Sequence, residues 1–144
     1  MFRKIVVGVD GSDPSVHAVK QAAELARMCG AELHLINVPA YETTALVTSG
    51  IGGYVPLTPL PQEEGLMEAG KQVVDQAAKA AGMPAEVYVR QGDAAARVIE
   101  LAEEIDADLI VTGRRGLGGL ASLVLGSTSQ RIIHGAHCAC LSIV

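Results

Sequence analysis

The chain has 144 residues and 14.9 kDa, the size of one domain, and 49% hydrophobic with 19% charged residues is globular usage that excludes disorder. Aromatics are 3% with no Trp, which argues against a carbohydrate platform or a base-stacking nucleic-acid surface. A net charge of −5 (sequence pI about 5.3) argues against a general polyanion or anionic-membrane binder.

Residues 4–9 (KIVVGV) form a nearly continuous apolar, β-branched run, the pattern of a strand buried on both faces. This run is too short for a signal segment or a bilayer span. Asp10-Gly11-Ser12-Asp13-Pro14 is turn chemistry, with Asp13 expected as N-cap and Pro14 at the first helical position. Ala18, Ala22, Leu25 and Cys29 then recur at helical spacing, with Val19 and Ala26 beside them, up to Gly30. Residues 32–38 read as a second strand.

Residues 39–61 hold Pro39, Pro56, Pro59 and Pro61 with Gly50, Gly52 and Gly53, and no helical or strand period persists. So long a connection reads as a lid, a binding loop or a mobile segment. A second helix is expected over 63–81 with Leu66, Ala69, Val73, Ala77 and Ala80 on its buried stripe, weakened early by Gly65 and Gly70. Residues 86–91 alternate as a less buried strand. Asp93 then caps a third helix with Ala95, Val98, Ile99, Ala102 and Ile105 inward. A fourth strand covers 109–112, a short helix 127–135 and a last strand 140–144. This alternation predicts a parallel sheet between helices, with ligands at the carboxyl ends of the strands.

Beyond Asp108 there is no Asp or Glu, while Arg114, Arg115 and Arg131 give residues 109–144 a charge of +3. Residues 1–108 carry −8, from eight basic against sixteen acidic side chains. The fourth strand runs into Gly113-Arg114-Arg115-Gly116, and nine residues after Gly116 comes Gly126-Ser127-Thr128-Ser129 at a helix start. Glycines bring backbone N–H groups close to a ligand, the helix start supplies unpaired donors, the hydroxyls add more, and two arginines can meet phosphate oxygens. The bland alternative is a loop of glycine turns followed by an ordinary Ser N-cap. The lack of acids in this region favours an anion cradle.

Other phosphate and catalytic motifs fail. There is no Gly-x-x-x-x-Gly-Lys-Ser/Thr, and Gly116-Leu117-Gly118-Gly119-Leu120-Ala121 lacks the acid a dinucleotide fold places about 20 positions on. Ser12 stands where a haloacid-dehalogenase-like phosphatase has a second Asp, and Arg90-Gln91 where a phosphorelay receiver has one. No nucleophile–base constellation stands out, so no catalytic residue is assigned.

The chain resembles the universal stress protein family in its ATP-binding branch. The likeness is carried by Ile5-Val6-Val7-Gly8-Val9-Asp10-Gly11-Ser12, by Ala31-Glu32-Leu33-His34-Leu35-Ile36-Asn37-Val38, by Ala107-Asp108-Leu109-Ile110-Val111-Thr112-Gly113 and by the Gly-x-x-Gly, nine, Gly-Ser signature. It spans residues 1–144 as one nucleotide-binding domain. It implies an α/β, Rossmann-like, five-stranded parallel sheet of order 3-2-1-4-5 with helices on both faces, and a homodimer. It also implies ATP as ligand, with Mg²⁺. By matched position, Val9 and Val38 would flank the adenine, and Asp10 would lie beside the adenosine and its metal or ribose. Gly113, Arg115, Gly116, Gly126, Ser127, Thr128 and Ser129 would hold ribose and phosphates. The reading is a stress-response or regulatory protein that holds ATP and signals through conformation or dimer surface, with ATP ordering the 39–61 segment. The alternative is a weak ATPase or phosphotransferase using the same pocket. Thr112 replaces a frequent Met of the family, and Ala139 its usual Pro before the last strand.

Three cysteines, Cys29, Cys138 and Cys140, make no disulfide framework and fit a reduced, cytoplasmic protein. His134, His137, Cys138 and Cys140 include metal-ligand types, but the spacing crosses from helix to strand. Cys138 and Cys140 share one strand face, and the histidines belong on a solvated helix end. His17 and His34 read as surface or strand-face residues. Glu100, Glu103, Glu104 and Asp106 read as a solvated helix face. The apolar last strand, with Leu141, Ile143 and Val144, is a hazardous bare edge that a two-fold dimer would cover.

Overall fold

Three apolar runs build the centre of the sheet. β1 (Lys4–Gly8), β2 (Glu32–Asn37) and β6 (Leu109–Gly113) are buried through their centres, as strands covered on both faces must be. The computed structural model describes residues 1–40, 46–49, 53–56, 63–114 and 126–144. β5 (Glu86–Val89) and β7 (Ala139–Ile143) are the edges of a five-stranded sheet of order β5-β2-β1-β6-β7. All four of its pairings are parallel, so the main-sheet strands follow the expected 3-2-1-4-5 order. Ala139 opens β7 without the proline of the resemblance.

Side chains alternate across the sheet and define two cores. Ile5, Val7, Leu33, Leu35, Leu109 and Val111 pack against α1 (Asp13–Cys29) and α2 (Glu63–Ala81). Val6, Ile36 and Ile110 face α3 (Ala94–Glu104) and α4 (Ser127–Gly135). No helix among the described residues is long and apolar enough to cross a membrane.

Three details correct the sequence reading. Residues 39–61 are not without strands: β3 (Leu46–Ser49) and β4 (Gly53–Pro56) pair antiparallel, with Ser49 opposite Gly53. The N-cap of α1 is Ser12, whose Oγ accepts from the Ser15 N–H, while Asp13 lies inside the first turn, where its charge favours the helix dipole. The buried stripe of α2 is Leu66, Gly70, Val74, Ala77 and Ala81, so Ala69 faces solvent and Ala80 is half-buried. Gly70 sets that phase. A Cβ there would lie 2.6 Å from Val89 and 2.8 Å from both Asn37 and Pro39, so the missing side chain lets α2 close on the ends of β2 and β5.

Candidate functional site

Because every main-sheet strand points the same way, the helices that follow them begin at one end of the sheet. There a cavity of about 670 Å³ opens on the α3/α4 face, within the range typical of small-molecule sites. Its wall at β1 is Gly8, Val9 and Asp10, and Ile36 and Val38 come from the end of β2. Thr112 and Gly113 end β6 against it, while Ala94 and Val98 of α3 and residues 126–129 at the start of α4 close the far side.

Eight of the residues singled out in the sequence therefore line one space: Val9, Asp10, Val38, Gly113, Gly126, Ser127, Thr128 and Ser129. Arg115 and Gly116 lie outside the described residues. Arg114 does not line the cavity; its backbone N–H extends the ladder by donating to the Ile143 carbonyl at 2.7 Å. Arg131, counted toward the basic balance, reaches sideways to Asp93 at 2.5 Å.

The two cavity glycines differ in kind. A Cβ on Gly113 would lie 2.5 Å from the Pro14 carbonyl oxygen and 2.8 Å from the Ser15 nitrogen, so the start of α1 rests directly on the end of β6. At Gly126 the backbone is ordinary (φ −59°, ψ 152°), and a Cβ would meet nothing within 4 Å among the described residues. Gly126, not Ser127, is the N-cap of α4, and no side chain among the described residues caps this helix start. Ser127 and Thr128 are exposed, whereas Ser129 is buried.

Asp10 closes its own turn: Oδ1 accepts from the backbone N–H of Ser12 at 2.9 Å and from the Ser12 hydroxyl. Its carboxylate is exposed at the cavity rim. No group of three or more His, Cys, Asp or Glu able to hold a metal exists among the described residues. Mg²⁺ is usually bound by one or two carboxylates plus substrate phosphates, so this donor set suits an ion arriving with a phosphorylated ligand.

Several positioning residues escaped the sequence reading. Asn37, buried at the end of β2, donates from Nδ2 to the Val9 carbonyl at 2.8 Å, and Val9 N–H donates to Ile36 at 2.9 Å. The only signal was a polar residue ending an otherwise buried strand. Ser15, also buried, donates to the Ser12 carbonyl at 3.0 Å and accepts from Asp10 N–H at 3.4 Å. Asp93 was expected as a cap and is one, accepting from Ala96 N–H at 2.9 Å. Its other oxygen holds Arg131, which ties the start of α3 to the middle of α4. The Arg131 hydrogen bond, then the Ala96 N–H, hold the Asp93 carboxyl below its usual range.

His34 is a buried strand-face residue, with Nδ1 3.2 Å from the Tyr88 hydroxyl, whereas His17 is exposed. Glu103, Glu104 and Asp106 are exposed and Glu100 half-buried, yet three of the four are paired: Glu100 with Arg97, Glu104 with Arg90 and Glu103 with His137.

The universal stress protein family profile matches residues 1–143. This chain belongs to the universal stress protein family. Among curated members, it is 35% identical to a universal stress protein of Methanocaldococcus jannaschii over 99% of this chain and 82% of that one. It is 32% identical to one from Bacillus subtilis over 99% of both. A universal stress protein crystallised in complex with cAMP superposes with a TM-score of 0.68 at 26% identity, covering 99% of this chain and 97% of the other.

Proposed function

We propose that this universal stress protein holds ATP, with Mg²⁺ beside Asp10, in the cavity at the carboxyl ends of β1 and β6. In this reading residues 1–144 act as one cytoplasmic nucleotide-binding domain that works by binding and signalling rather than by turnover. Gly126 is the observation that carries the proposal. Nothing in the described fold requires glycine there, and its bare backbone leaves space beside an uncapped helix start with three hydroxyl residues. Val9 and Val38 supply an apolar wall for the adenine, and Gly113, Ser127, Thr128 and Ser129 ring the phosphate end, with Arg115 and Gly116 assigned there by the resemblance. The relative bound to cAMP supports an adenine nucleotide as the ligand class.

Binding is favoured over phosphotransfer because, among the described lining residues, Asp10 is the one ionisable side chain, and its carboxylate is engaged by Ser12. Homodimerisation through β7 is supported by an edge strand that, among the described residues, pairs only with β6, with Leu141 in it 39% and Val144 just beyond it 74% exposed. Sedimentation should show a dimer at micromolar concentration.

Titration calorimetry with Gly126→Val tests the nucleotide site. The substituted backbone is allowed and the space open, so the variant should keep the wild-type circular dichroism and melting temperature while losing at least tenfold in ATP affinity. Unchanged affinity would overturn the reading, as would native mass spectra of the wild type that show no adenine nucleotide at saturating ATP.

A further inference from the structure

At the opposite end of the sheet a second cavity of about 420 Å³ lies between the end of α3 and the approach to β7, with Arg3, Asp108, His137 and Cys138 among its lining. Cys138 and Cys140 pack on the same α3/α4 core, Cys138 at the cavity wall and Cys140 two residues further on, where its Sγ donates to the Cys138 carbonyl at 3.8 Å. His134 and His137 do not complete a four-donor set: both are exposed, and His137 Nε2 pairs with Glu103 at 3.2 Å. We propose that Cys138 and Cys140 form a two-sulfur site for a soft, thiophilic centre, Hg(II) or trivalent arsenic, entered from this cavity.

Donor count and local charge select that class. Two sulfurs without a third protein donor do not make a tetrahedral zinc site, and thiolates favour soft ions. Burial, then Cys140 and Asp108, push the Cys138 thiol up, and burial pushes up that of Cys140. Both thus rest protonated near neutral pH, and a bis-thiolate anion beside Asp108 is disfavoured. Hg(II) and an organoarsenic(III) avoid that charge. Hg(II) forms two S–Hg bonds as two protons leave to solvent. An arsenoso group forms two S–As bonds while its oxygen takes both thiol protons and departs as water. Neither step changes an oxidation state. Cys29, on α1 and packed against the other core, supplies a single-thiol control.

The test adds stoichiometric phenylarsine oxide to the reduced full chain in excess glutathione. One adduct is expected by intact mass, with titratable thiols falling from three to one. Cys29→Ser should keep the adduct. Cys138→Ala and Cys140→Ala, each required to match the wild-type circular dichroism, should lose it and keep two thiols. With Hg(II) under the same glutathione excess, the wild type should retain one equivalent and the two alanine variants none. A wild type that keeps all three thiols, or folded alanine variants that hold either probe as well as the wild type, would overturn the proposal.

Discussion

At the carboxyl ends of β1 and β6 the chain leaves the sheet through glycines and helix starts, whereas at their amino ends it is closed by a carboxylate. Asp108 Oδ2 accepts from the N–H groups of Arg3 at 2.8 Å and Lys4 at 3.0 Å, and Lys4 Nζ donates to the Ile105 carbonyl at 2.9 Å. The lower end thus satisfies its backbone from within the protein. At the upper end, Ser12 caps α1 and Asp93 caps α3, but α4 begins on Gly126 with no side-chain cap. Of the three helices with described caps, it is the start at the cavity that takes no side-chain cap from the described residues. A parallel sheet imposes this polarity, because every connecting helix must begin where a strand has just ended.

The contrast can be broken most severely at Gly113. Gly113→Ala drives a Cβ into the backbone of Pro14 and Ser15, where no side chain can give way, and should cost about 3 kcal/mol in urea unfolding with or without nucleotide. Ser12→Ala removes the α1 cap together with the hydroxyl donor to Asp10, leaving the Ser12 N–H in place. A loss of about 1 kcal/mol is expected, read as a lower urea midpoint at unchanged slope.

Asp108→Asn should have the smallest effect, and one set by pH. The N–H groups of Arg3 and then Lys4 hold the Asp108 carboxyl below its usual range in the folded protein. The stability it contributes is therefore fully present above the ordinary carboxylate range and is lost as pH falls through the lowered folded value. Urea midpoints of wild type and variant should differ near neutrality and converge on acidification below that range. A constant gap would mean that Asp108 acts through shape rather than charge.

Much of this arrangement was legible because it is written in short-range patterns. The apolar runs of β1, β2 and β6, the Asp93 cap and the limits of α4 are local features. The strand order came from the resemblance, since periodicity alone does not order parallel strands. The phase of α2 was misread because its close approach depends on an absent side chain: Gly70 looks like a helix weakener until Val89, Asn37 and Pro39 are placed against it. The β3–β4 pair was hidden by prolines and glycines that mask a short strand pattern. Asn37 and Ser15 were missed because their partners are set by the ends of neighbouring elements.

The Pro14 contact changes how the glycine signature should be weighed. In a lineage that abandoned its nucleotide, drift would be free to replace Gly126, whereas position 113 would stay glycine as long as α1 sits on β6. Retention of Gly113 is thus a record of packing, and of these two glycines only Gly126 can testify to a ligand.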